Sequence, residues 1–321
     1  MILVTGGAGF IGSNLVNHLS KSKKTQIVSV DWKNKENSDY FNCDSILKVS
    51  PKNLDNFLKK NHKSIELIIH LGAITSTVEK NVRLIVENNI NLSIFLWDWC
   101  VKKKKRFIYA SSAATYGNGE NDFIDNDSSN YLSELLPLNV YGWSKHIVDK
   151  FVANKTKMNI TPAQCVGLKF FNVYGPNENH KGEMRSIALK IYQKIKKKSE
   201  VRLFKSHNPD YKDGEQLRDF IYVKDVVDII CWFAENAKID GLFNVGSGQP
   251  RSFKDLAKAV FKNCNAEQKI KYVNTPNNIR KQYQYFTKAN IQKLRNAGFK
   301  KKFLSLEEGV TDYIRNHLNN E

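Results

Sequence analysis

The sequence has few cysteines, and their arrangement excludes several classes of protein. Its five cysteines, Cys43, Cys100, Cys165, Cys231 and Cys264, are odd in number, widely separated and form no C-x-x-C pair. This pattern argues against a disulfide framework or a zinc site. It is typical of a protein that works in a reducing compartment.

Long apolar runs are also missing. No stretch approaches the length needed to span a bilayer, and the first predicted strand begins at Ile2 with no basic leader before it. The expected location is therefore the cytoplasm. At 321 residues, the chain is long enough for one domain with a lobe, or for two domains.

Acidic side chains are under-represented: 32 Asp and Glu stand against 50 Lys and Arg, which gives a net charge of +18. A basic nucleic-acid binder would carry such a charge, but no nucleic-acid motif or aromatic stacking pattern accompanies it. The positive residues are mostly lysines spread along the chain, and the local runs 102–106 and 194–198 fall at predicted helix ends. We interpret the charge as a solvated surface, part of which can attract an anionic substrate.

The segment Met1 to Gly12, MILVTGGAGFIG, predicts a buried strand, a glycine turn and the start of a helix. Gly6, Gly9 and Gly12 let the chain turn sharply, admit a pyrophosphate close to the backbone and bring the helix near the strand. Asp31 follows at the end of a second apolar strand, where a ribose hydroxyl needs an acceptor. These features predict a dinucleotide site, with phosphates at the positive end of the helix.

The segment after Asp31 is polar and irregular from residue 32 to 40, where an adenosine ribose would lie. Lys33 and Lys35 are candidates for a 2′-phosphate contact, and equally for plain surface lysines. Residues 41–44 predict a third short strand, with Asp44 near the adenine.

Two later strands end in candidate site segments. The predicted strand 66–70 runs into LGAIT, residues 71–75, whose small side chains let a cofactor pass close to the backbone. Asn89, in the helix that follows, is as well explained by a buried amide as by a functional one. The predicted strand 106–110 runs into SSAATYG, residues 111–117, whose hydroxyls point at the crevice beyond the sheet.

Tyr141 and Lys145 open a predicted helix over 140–152 and lie four residues apart, on one face of it. An ammonium close to a phenol favours phenolate, which predicts that Lys145 lowers the pKa of Tyr141 and makes it a usable base. Alone, the pair could be an ordinary surface contact. Its place after a phosphate-binding turn and a serine-bearing strand end favours a nicotinamide site.

Strand and helix alternate up to about residue 170, and the simple pattern then breaks down. We therefore predict an α/β protein with a Rossmann-type doubly wound parallel sheet and a smaller, mixed α/β substrate-binding lobe. The predicted division assigns residues 1–172 and 219–248 to the dinucleotide-binding domain, and 173–218 and 249–321 to the lobe.

Over nearly its whole length the chain resembles the extended short-chain dehydrogenase/reductases that act on nucleotide sugars. That resemblance is carried, in order, by TGGAGFIG, the serine-bearing strand end, YGWSK, FFNVYGP, RDFIYV and FNVGSG. A closer resemblance, to the ADP-L-glycero-D-manno-heptose 6-epimerase family, is carried by SSAATYG, PLNVYGWSK, FFNVYGPNENHKGEM and QYQYFT.

The resemblance implies epimerisation at C6 of an ADP-heptose, in which a bound nicotinamide takes a hydride and returns it to the opposite face. It assigns Tyr141 and Lys181 as the two proton carriers, one for each epimer, because one tyrosine cannot serve both sides of a carbon. Lys145 would hold the nicotinamide ribose, and Ser112 would bind the oxygen being oxidised. A phosphate contact is the alternative role for Lys181. The resemblance also implies a ring of identical subunits, possibly five, and a role in lipopolysaccharide inner-core synthesis.

The same resemblance implies two sets of binding residues. The cofactor set is Gly6, Gly9, Phe10, Ile11, Gly12, Asp31, Trp32, Leu71, Gly72, Ala73, Ile74, Thr75, Asn89, Tyr141, Lys145, Val173 and Lys181. The substrate set is Ser112, Asn172, Glu183, Lys190, Phe204, Lys205, Ser206, His207, Arg218 and Tyr283. Among these, Arg218 suits the diphosphate because its fork matches two phosphate oxygens.

The chain departs from the family at several positions. Glu183 stands where the family often has serine, and Lys190 where it often has histidine, which affects the substrate contacts there. The resemblance implies NADP as cofactor, one per subunit and not consumed, whereas Asp31 alone favours NAD. Trp32 stands where the family often has asparagine.

Three alternatives remain at the level of sequence. A nucleotide-sugar dehydratase needs a carboxyl acid just after the strand-end serine, where this chain has Ala113 and Ala114. A UDP-hexose 4-epimerase would leave Lys181 unexplained. A nicotinamide-sensing regulatory protein would have no reason to keep a full catalytic set together, namely Tyr141, Lys145, Ser112 and Lys181.

Overall fold

The computed structural model describes residues 1–22, 25–32, 46–280 and 283–319. The predictions for Lys33, Lys35 and the strand 41–44 with Asp44 lie outside these residues. None of the helices within the described ranges combines the length and the apolar character needed to cross a membrane.

Strands and helices alternate through the first part of the described chain. The strands are β1 (Ile2–Thr5), β2 (Ile27–Val30), β3 (Ile46–Val49), β4 (Leu67–His70), β5 (Arg106–Ser112), β6 (Gln164–Phe170), β7 (Asn172–Tyr174), β8 (Val201–Phe204), β9 (Leu217–Tyr222), β10 (Gly241–Val245), β11 (Pro250–Ser252) and β12 (Ile270–Val273). The α-helices are α1 (Phe10–Ser20), α2 (Leu54–Asn61), α3 (Val82–Ile85), α4 (Leu92–Lys103), α5 (Ser129–Glu134), α6 (Val140–Lys157), α7 (Ile187–Lys196), α8 (Val223–Glu235), α9 (Phe253–Asn263), α10 (Asn277–Arg280), α11 (Gln292–Asn296) and α12 (Leu306–Tyr313).

Seven of the described strands form one parallel sheet in the order β10-β6-β5-β4-β1-β2-β3. Strands β2 and β4 are buried along their whole length, which is typical of parallel strands covered on both faces. One face packs against a core that includes Trp97 of α4 and Val148 of α6. The other packs against a core that includes Leu15 of α1 and Ile229 of α8. The predicted Rossmann-type doubly wound sheet is confirmed.

The strand order places β1 between β2 and β4. The chain builds β2 and β3 on one side of β1 and then crosses to β4 on the other. In such sheets the connections leave opposite faces at this switch point and open a crevice beyond the carboxyl ends of the strands.

The remaining described strands form two small sheets, β11-β9-β7 and β12-β8. A third apolar core joins them to α7, α9 and α12. Strand β9, Leu217–Tyr222, spans the predicted boundary between residues 218 and 219. The division of the chain into two sequence-defined domains stays a prediction.

Candidate active site

A cavity of about 1000 Å³ opens at the carboxyl ends of β1, β4, β5 and β6. It brings together most of the residues that the sequence predicts for cofactor and substrate. Those that line it are Gly6, Gly9, Phe10, Ile11, Gly12, Asp31, Trp32, Leu71, Gly72, Ala73, Ile74, Thr75, Ser112, Tyr141, Lys145, Asn172, Val173, Lys181, Glu183 and Lys190.

The glycine turn at one end of the cavity has the close packing that a pyrophosphate site needs. A Cβ on Gly12 would lie 2.0 Å from the carbonyl oxygen of Gly6, and Gly6 itself has φ +68°. Helix α1 begins here with no side-chain cap and no acidic residue in its first turn. Its first N–H groups and positive dipole end are therefore available to an anion. The residues present fit a dinucleotide.

Asp31 lies at the end of β2, beside this turn. Its carboxylate accepts a hydrogen bond from the Ala8 amide at 3.1 Å, and the residue lines the cavity. Trp32 also lines the cavity and is 64% exposed.

Asn89 does not line the cavity but holds a segment that does. It lies in a π-helical stretch, Val86–Asn91, between α3 and α4. Its side chain accepts from the Ile74 amide at 2.8 Å and donates to the Ile74 carbonyl at 2.9 Å. It also donates to the Ser144 hydroxyl at 2.9 Å. The amide thus has a positioning role, and every polar atom of its side chain is bonded.

His70, at the end of β4, belongs to a buried chain of hydrogen bonds that contacts the same segment. Thr5 Oγ1 accepts from the Gly72 amide at 3.2 Å and contacts His70 Nδ1 at 2.6 Å. His70 Nε2 contacts Ser93 Oγ at 2.9 Å, and Ser93 donates to the Asn89 carbonyl at 2.5 Å. Burial, and then the charge of Lys145, lower the pKa of His70 to about 3. The imidazole is therefore neutral. Because the Ser93 hydroxyl gives its proton to the Asn89 carbonyl, we assign the imidazole proton to Nε2, which then donates to Ser93 Oγ.

Helix α6 carries the predicted tyrosine and lysine. It begins at Val140 because the Asn139 side chain caps it, accepting from the Gly142 amide at 2.8 Å. Tyr141 then lies in the first turn and Lys145 one turn later, so both reach the cavity from one face. Ser112, the last residue of β5, hydrogen-bonds Tyr141.

The protonation of this group differs from the sequence prediction. Burial raises the pKa of Tyr141, and the hydrogen bond with Ser112 acts in the opposite direction. Burial lowers the pKa of Lys145 to about 8, opposed by the charge of Asp149. The predicted lowering of the Tyr141 pKa by Lys145 is wrong for this geometry, because loss of hydration disfavours the phenolate more than its neighbours favour it.

Lys181 reaches the same cavity from a separate part of the chain, the helical turn Asn179–Met184. Its Nζ lies 5.0 Å from the centroid of the Phe10 ring. Burial lowers its pKa, and the charge of Glu178 opposes this. An amine in this position loses its proton more readily than an exposed lysine.

The predicted substrate residues fall into two groups. Asn172, Glu183 and Lys190 line the cavity, and the Lys190 amine contacts the Glu183 carbonyl at 2.6 Å and its carboxylate at 3.3 Å. Phe204, Arg218 and Tyr283 lie beyond its wall, with the Phe204 and Tyr283 rings 5.9 Å apart.

Arg218 joins this second group to the cavity. Its guanidinium lies 5.3 Å from the Tyr283 ring and 5.5 Å from the ring of Phe253, which lines the cavity. It donates to the carbonyls of Leu217 and Gln284.

Residues 205–207 continue from Phe204 and are held mainly through their backbone. The Lys205 amide donates to the Val273 carbonyl at 2.8 Å, and the Ser206 amide to Asp213 at 2.9 Å. The His207 amide donates to the Tyr285 hydroxyl at 3.0 Å. These three residues do not line the cavity, and their predicted substrate contacts stay a prediction.

Sequence reasoning missed a further set of lining residues, among them Glu87, Asn88, His180, Met184, Ser186, Phe220, Phe253 and Leu256. Most are apolar or sit in helices that enter the site through tertiary packing, so no local pattern marks them. His180 and Met184 are exceptions, since both lie in the NENHKGEM segment that carries Lys181.

Comparison with known proteins gives consistent results. The model of the NAD dependent epimerase/dehydratase family matches residues 2–246. An ADP-L-glycero-D-manno-heptose-6-epimerase of Fusobacterium nucleatum is 43% identical over 336 aligned positions, covering 100% of this chain and 99% of that protein. The crystal structure of the Helicobacter pylori ADP-L-glycero-D-manno-heptose-6-epimerase is 30% identical with a TM-score of 0.81, covering 98% and 95% of the two chains. A UDP-N-acetylglucosamine 4-epimerase of Methanobrevibacter ruminantium, 23% identical, reaches a TM-score of 0.85 over 100% and 98%. Overall fold alone therefore does not separate these sugar epimerases.

Proposed function

This chain belongs to the NAD dependent epimerase/dehydratase family, and from that premise we propose that it epimerises an ADP-heptose at C6. The reaction interconverts ADP-D-glycero-D-manno-heptose and ADP-L-glycero-D-manno-heptose. The observation that carries the proposal is that Tyr141 and Lys181, from separate segments, line one cavity beside a dinucleotide-binding turn. Inversion at one carbon needs a proton carrier on each side of it.

A nicotinamide cofactor held by the glycine turn, Asp31 and Lys145 would supply a reversible acceptor for the C6 hydride. The protein then has to orient the substrate and move one proton. Tyr141 or Lys181 takes the proton from the 6-hydroxyl of one epimer, and the other gives a proton to the oxygen on the return. Ser112 donates a hydrogen bond that holds that oxygen in place. Lys145, a buried amine whose pKa burial lowers to about 8, would hold the cofactor ribose hydroxyls.

For the finer choice of cofactor we favour NADP, on the resemblance to the heptose epimerases. The Asp31 carboxylate, oriented by the Ala8 amide, is the acceptor that NAD would use, so the two assignments compete at one position. Mass spectrometry of the nucleotide released on denaturing the purified protein decides between them. Recovery of NAD alone would overturn the NADP assignment.

The dehydratase alternative lacks its acid. Among the described lining residues the carboxylates are Asp31, Glu87 and Glu183, and none belongs to the segment after Ser112. That segment, Ala113–Tyr116, is a helical turn whose Ala114 amide donates to the Ser112 hydroxyl at 3.1 Å.

The test is to incubate the purified protein with ADP-D-glycero-D-manno-heptose, with no added cofactor, and to follow C6 configuration by NMR. The expected result is a mixture of the two epimers, reached from either one. A deoxy-keto product would support the dehydratase, and turnover of UDP-hexoses alone would support a 4-epimerase. Bound cofactor with no turnover would support a regulatory protein.

Assembly and location rest on the resemblance alone. We propose a homo-oligomeric ring in the cytoplasm, serving lipopolysaccharide inner-core synthesis. Sedimentation of the purified protein tests the assembly, and a monomer would contradict it.

A further inference from the structure

Glu178 is a fully buried carboxylate beside the segment that carries Lys181. One of its oxygens accepts from the Ser186 hydroxyl at 2.6 Å, the Tyr313 hydroxyl at 3.1 Å and the Gly175 amide at 3.4 Å. The other accepts from the Ser186 amide at 2.5 Å. Glu178 directly precedes the Lys181 turn, and its carboxylate therefore ties this point of the chain to Ser186, two residues after the turn, and to Tyr313 of α12.

The far end of this link is the start of a helix. Ser186 caps α7, where its hydroxyl accepts from the Leu189 amide at 3.2 Å. The positive end of α7 favours a carboxylate at this place. Charge-assisted hydrogen bonds of this kind are stronger than neutral ones, so Glu178 holds the turn rigidly between two fixed elements.

Side chains that follow the turn also bond to its backbone: Arg185 donates to the Gly182 carbonyl at 2.6 Å, and Lys190 donates to the Glu183 carbonyl at 2.6 Å. The Lys181 amide donates to the Glu178 carbonyl at 3.0 Å, and Gly182, at φ +54°, has no atom near its Cβ position within 4 Å. We propose that Glu178 is a positioning residue for Lys181: its buried carboxylate closes the turn at both ends and holds the amine against the cavity wall. This inference rests on the proposed function, in which Lys181 is a proton carrier.

The charge of Glu178 has a second consequence. Among the described residues, it is the charged group that raises the pKa of Lys181 against the lowering caused by burial. Removing that charge without changing the shape of the side chain should therefore let Lys181 lose its proton at lower pH. The other ionisable groups around the turn are His180, Glu183, Arg185 and Lys190 in and after it, Tyr141 and Lys145 from α6, and Tyr313 behind Glu178.

The test compares the cofactor-loaded wild type with Glu178→Gln and with Asp125→Asn. Asp125 is the matched control, because it is also a buried carboxylate with a short hydrogen bond, to the Asn244 amide at 2.9 Å, outside the cavity. Two measurements are made across pH. One is the rate of Lys181 acetylation by trace acetic anhydride, followed by peptide mass spectrometry, and the other is kcat and KM for ADP-heptose.

For Glu178→Gln we expect kcat to fall by about 10- to 100-fold, since a displaced catalytic group loses reactivity steeply. KM should change far less, because the nucleotide-binding residues are untouched. The acetylation profile of Lys181 and the matching limb of the kcat profile should both move to lower pH. Asp125→Asn should leave both profiles where they are in the wild type.

Ser186→Ala tests the position of the Lys181 turn without removing the charge of Glu178. It also replaces Glu178→Gln in the test if that variant does not fold. It keeps the carboxylate and removes one anchor, so kcat should fall while the Lys181 acetylation profile keeps its pH. Wild-type kcat and an unchanged acetylation profile in Glu178→Gln, or wild-type kcat in Ser186→Ala, would overturn the inference. Acetylation of Lys181 can be measured without turnover. An inactive wild type would therefore contradict the proposed function, while the acetylation profiles would still test whether Glu178 controls Lys181.

Discussion

Burial disfavours the charged form of each residue that we propose for proton transfer or cofactor binding in this cavity. Burial raises the pKa of Tyr141, so its neutral form is favoured, while burial lowers the pKa of Lys181 and of Lys145, which also favours their neutral forms. A proton that leaves Tyr141 or is taken up by Lys181 creates a charge that burial disfavours, so each transfer needs a compensating charge from substrate or cofactor. Substrate and cofactor binding then decide which group carries the proton.

Tyr141→Phe and Lys181→Met should each lower epimerase turnover by about 10²- to 10⁴-fold, the range for loss of a general acid or base. Both changes keep the size of the side chain, so the bound cofactor per subunit should stay at the wild-type level. Turnover is measured by NMR at C6, and cofactor content by absorbance after release.

Lys196→Met is the control for these two variants, since Lys196 is an exposed lysine near the end of α7. It should epimerise at the wild-type rate. Normal turnover in Tyr141→Phe or in Lys181→Met would remove that residue from the mechanism.

His70 predicts how the stability of the protein depends on pH. Its folded pKa of about 3 lies below the ordinary value of 6.5, so the unfolded chain binds a proton there first as pH falls. The contribution of neutral His70 to stability is fully present above pH 6.5 and is lost as the pH falls toward 3. At pH 5 the protonation of this one group in the unfolded chain should lower the free energy of unfolding by about 2 kcal/mol.

His70→Gln isolates that effect, because every other group titrates in both proteins. The variant should lose less unfolding free energy than the wild type between neutral pH and pH 5, by about 2 kcal/mol. Urea unfolding at the two pH values measures it. Equal losses in both proteins would mean that His70 is not held neutral.

At the scale of elements, α6 is bound to the sheet by a buried ion pair. The Lys169 amine of β6 contacts the Asp149 carboxylate of α6 at 2.8 Å, and both side chains are fully buried. Asp149 also accepts from Ser111 of β5 at 2.7 Å, and Lys169 donates to Thr115 at 2.6 Å. These bonds set the height of α6 over the sheet, and thereby the position of Tyr141.

Asp149→Ala should reduce the unfolding free energy by about 3–5 kcal/mol, since it leaves the Lys169 charge buried and unpaired. Replacing both residues, Asp149→Leu with Lys169→Met, should recover most of that loss. Urea unfolding measures each variant.

The exposed pair Lys59–Asp55 on α2 provides the contrast, and Asp55→Ala should cost less than about 1 kcal/mol. A similar small cost for Asp149→Ala would contradict an anchoring role for the buried pair. A double variant no more stable than the single one would do the same.

Element boundaries show where local pattern was sufficient. The predicted strand 106–110 is found as β5, Arg106–Ser112, and the predicted helix over 140–152 is found as α6, Val140–Lys157. The predicted helix that contains Asn89 is also found, but with the π-helical stretch Val86–Asn91 inside it. Period alone does not reveal that stretch, because it is stabilised by the bonds of Asn89 to another segment.

For the molecule as a whole, the net charge of +18 should matter for encounter with a diphosphate substrate. A cationic surface raises the association rate of anions, and salt screens this attraction. The kcat/KM for ADP-heptose should therefore fall as ionic strength rises, while kcat stays constant. Competitive inhibition provides the control: inhibition by ADP should weaken with salt, and inhibition by uncharged adenosine should not. Equal salt dependence for both would place the effect in the protein itself.

By itself, the sequence determined the strand–turn–helix that suits a pyrophosphate and the alternation of strands and helices along the chain. It also determined that Tyr141 and Lys145 lie on one face of the same helix. Each of these depends on neighbours within a few residues, where period, glycine spacing and helix geometry act directly. Only the tertiary structure decided that Lys181 shares a cavity with Tyr141 and that Glu178 contacts both ends of the Lys181 turn. It also decided that burial raises the Tyr141 pKa, where the sequence predicted that Lys145 lowers it. These depend on contacts between distant segments and on the water those contacts exclude, and neither is written in local sequence.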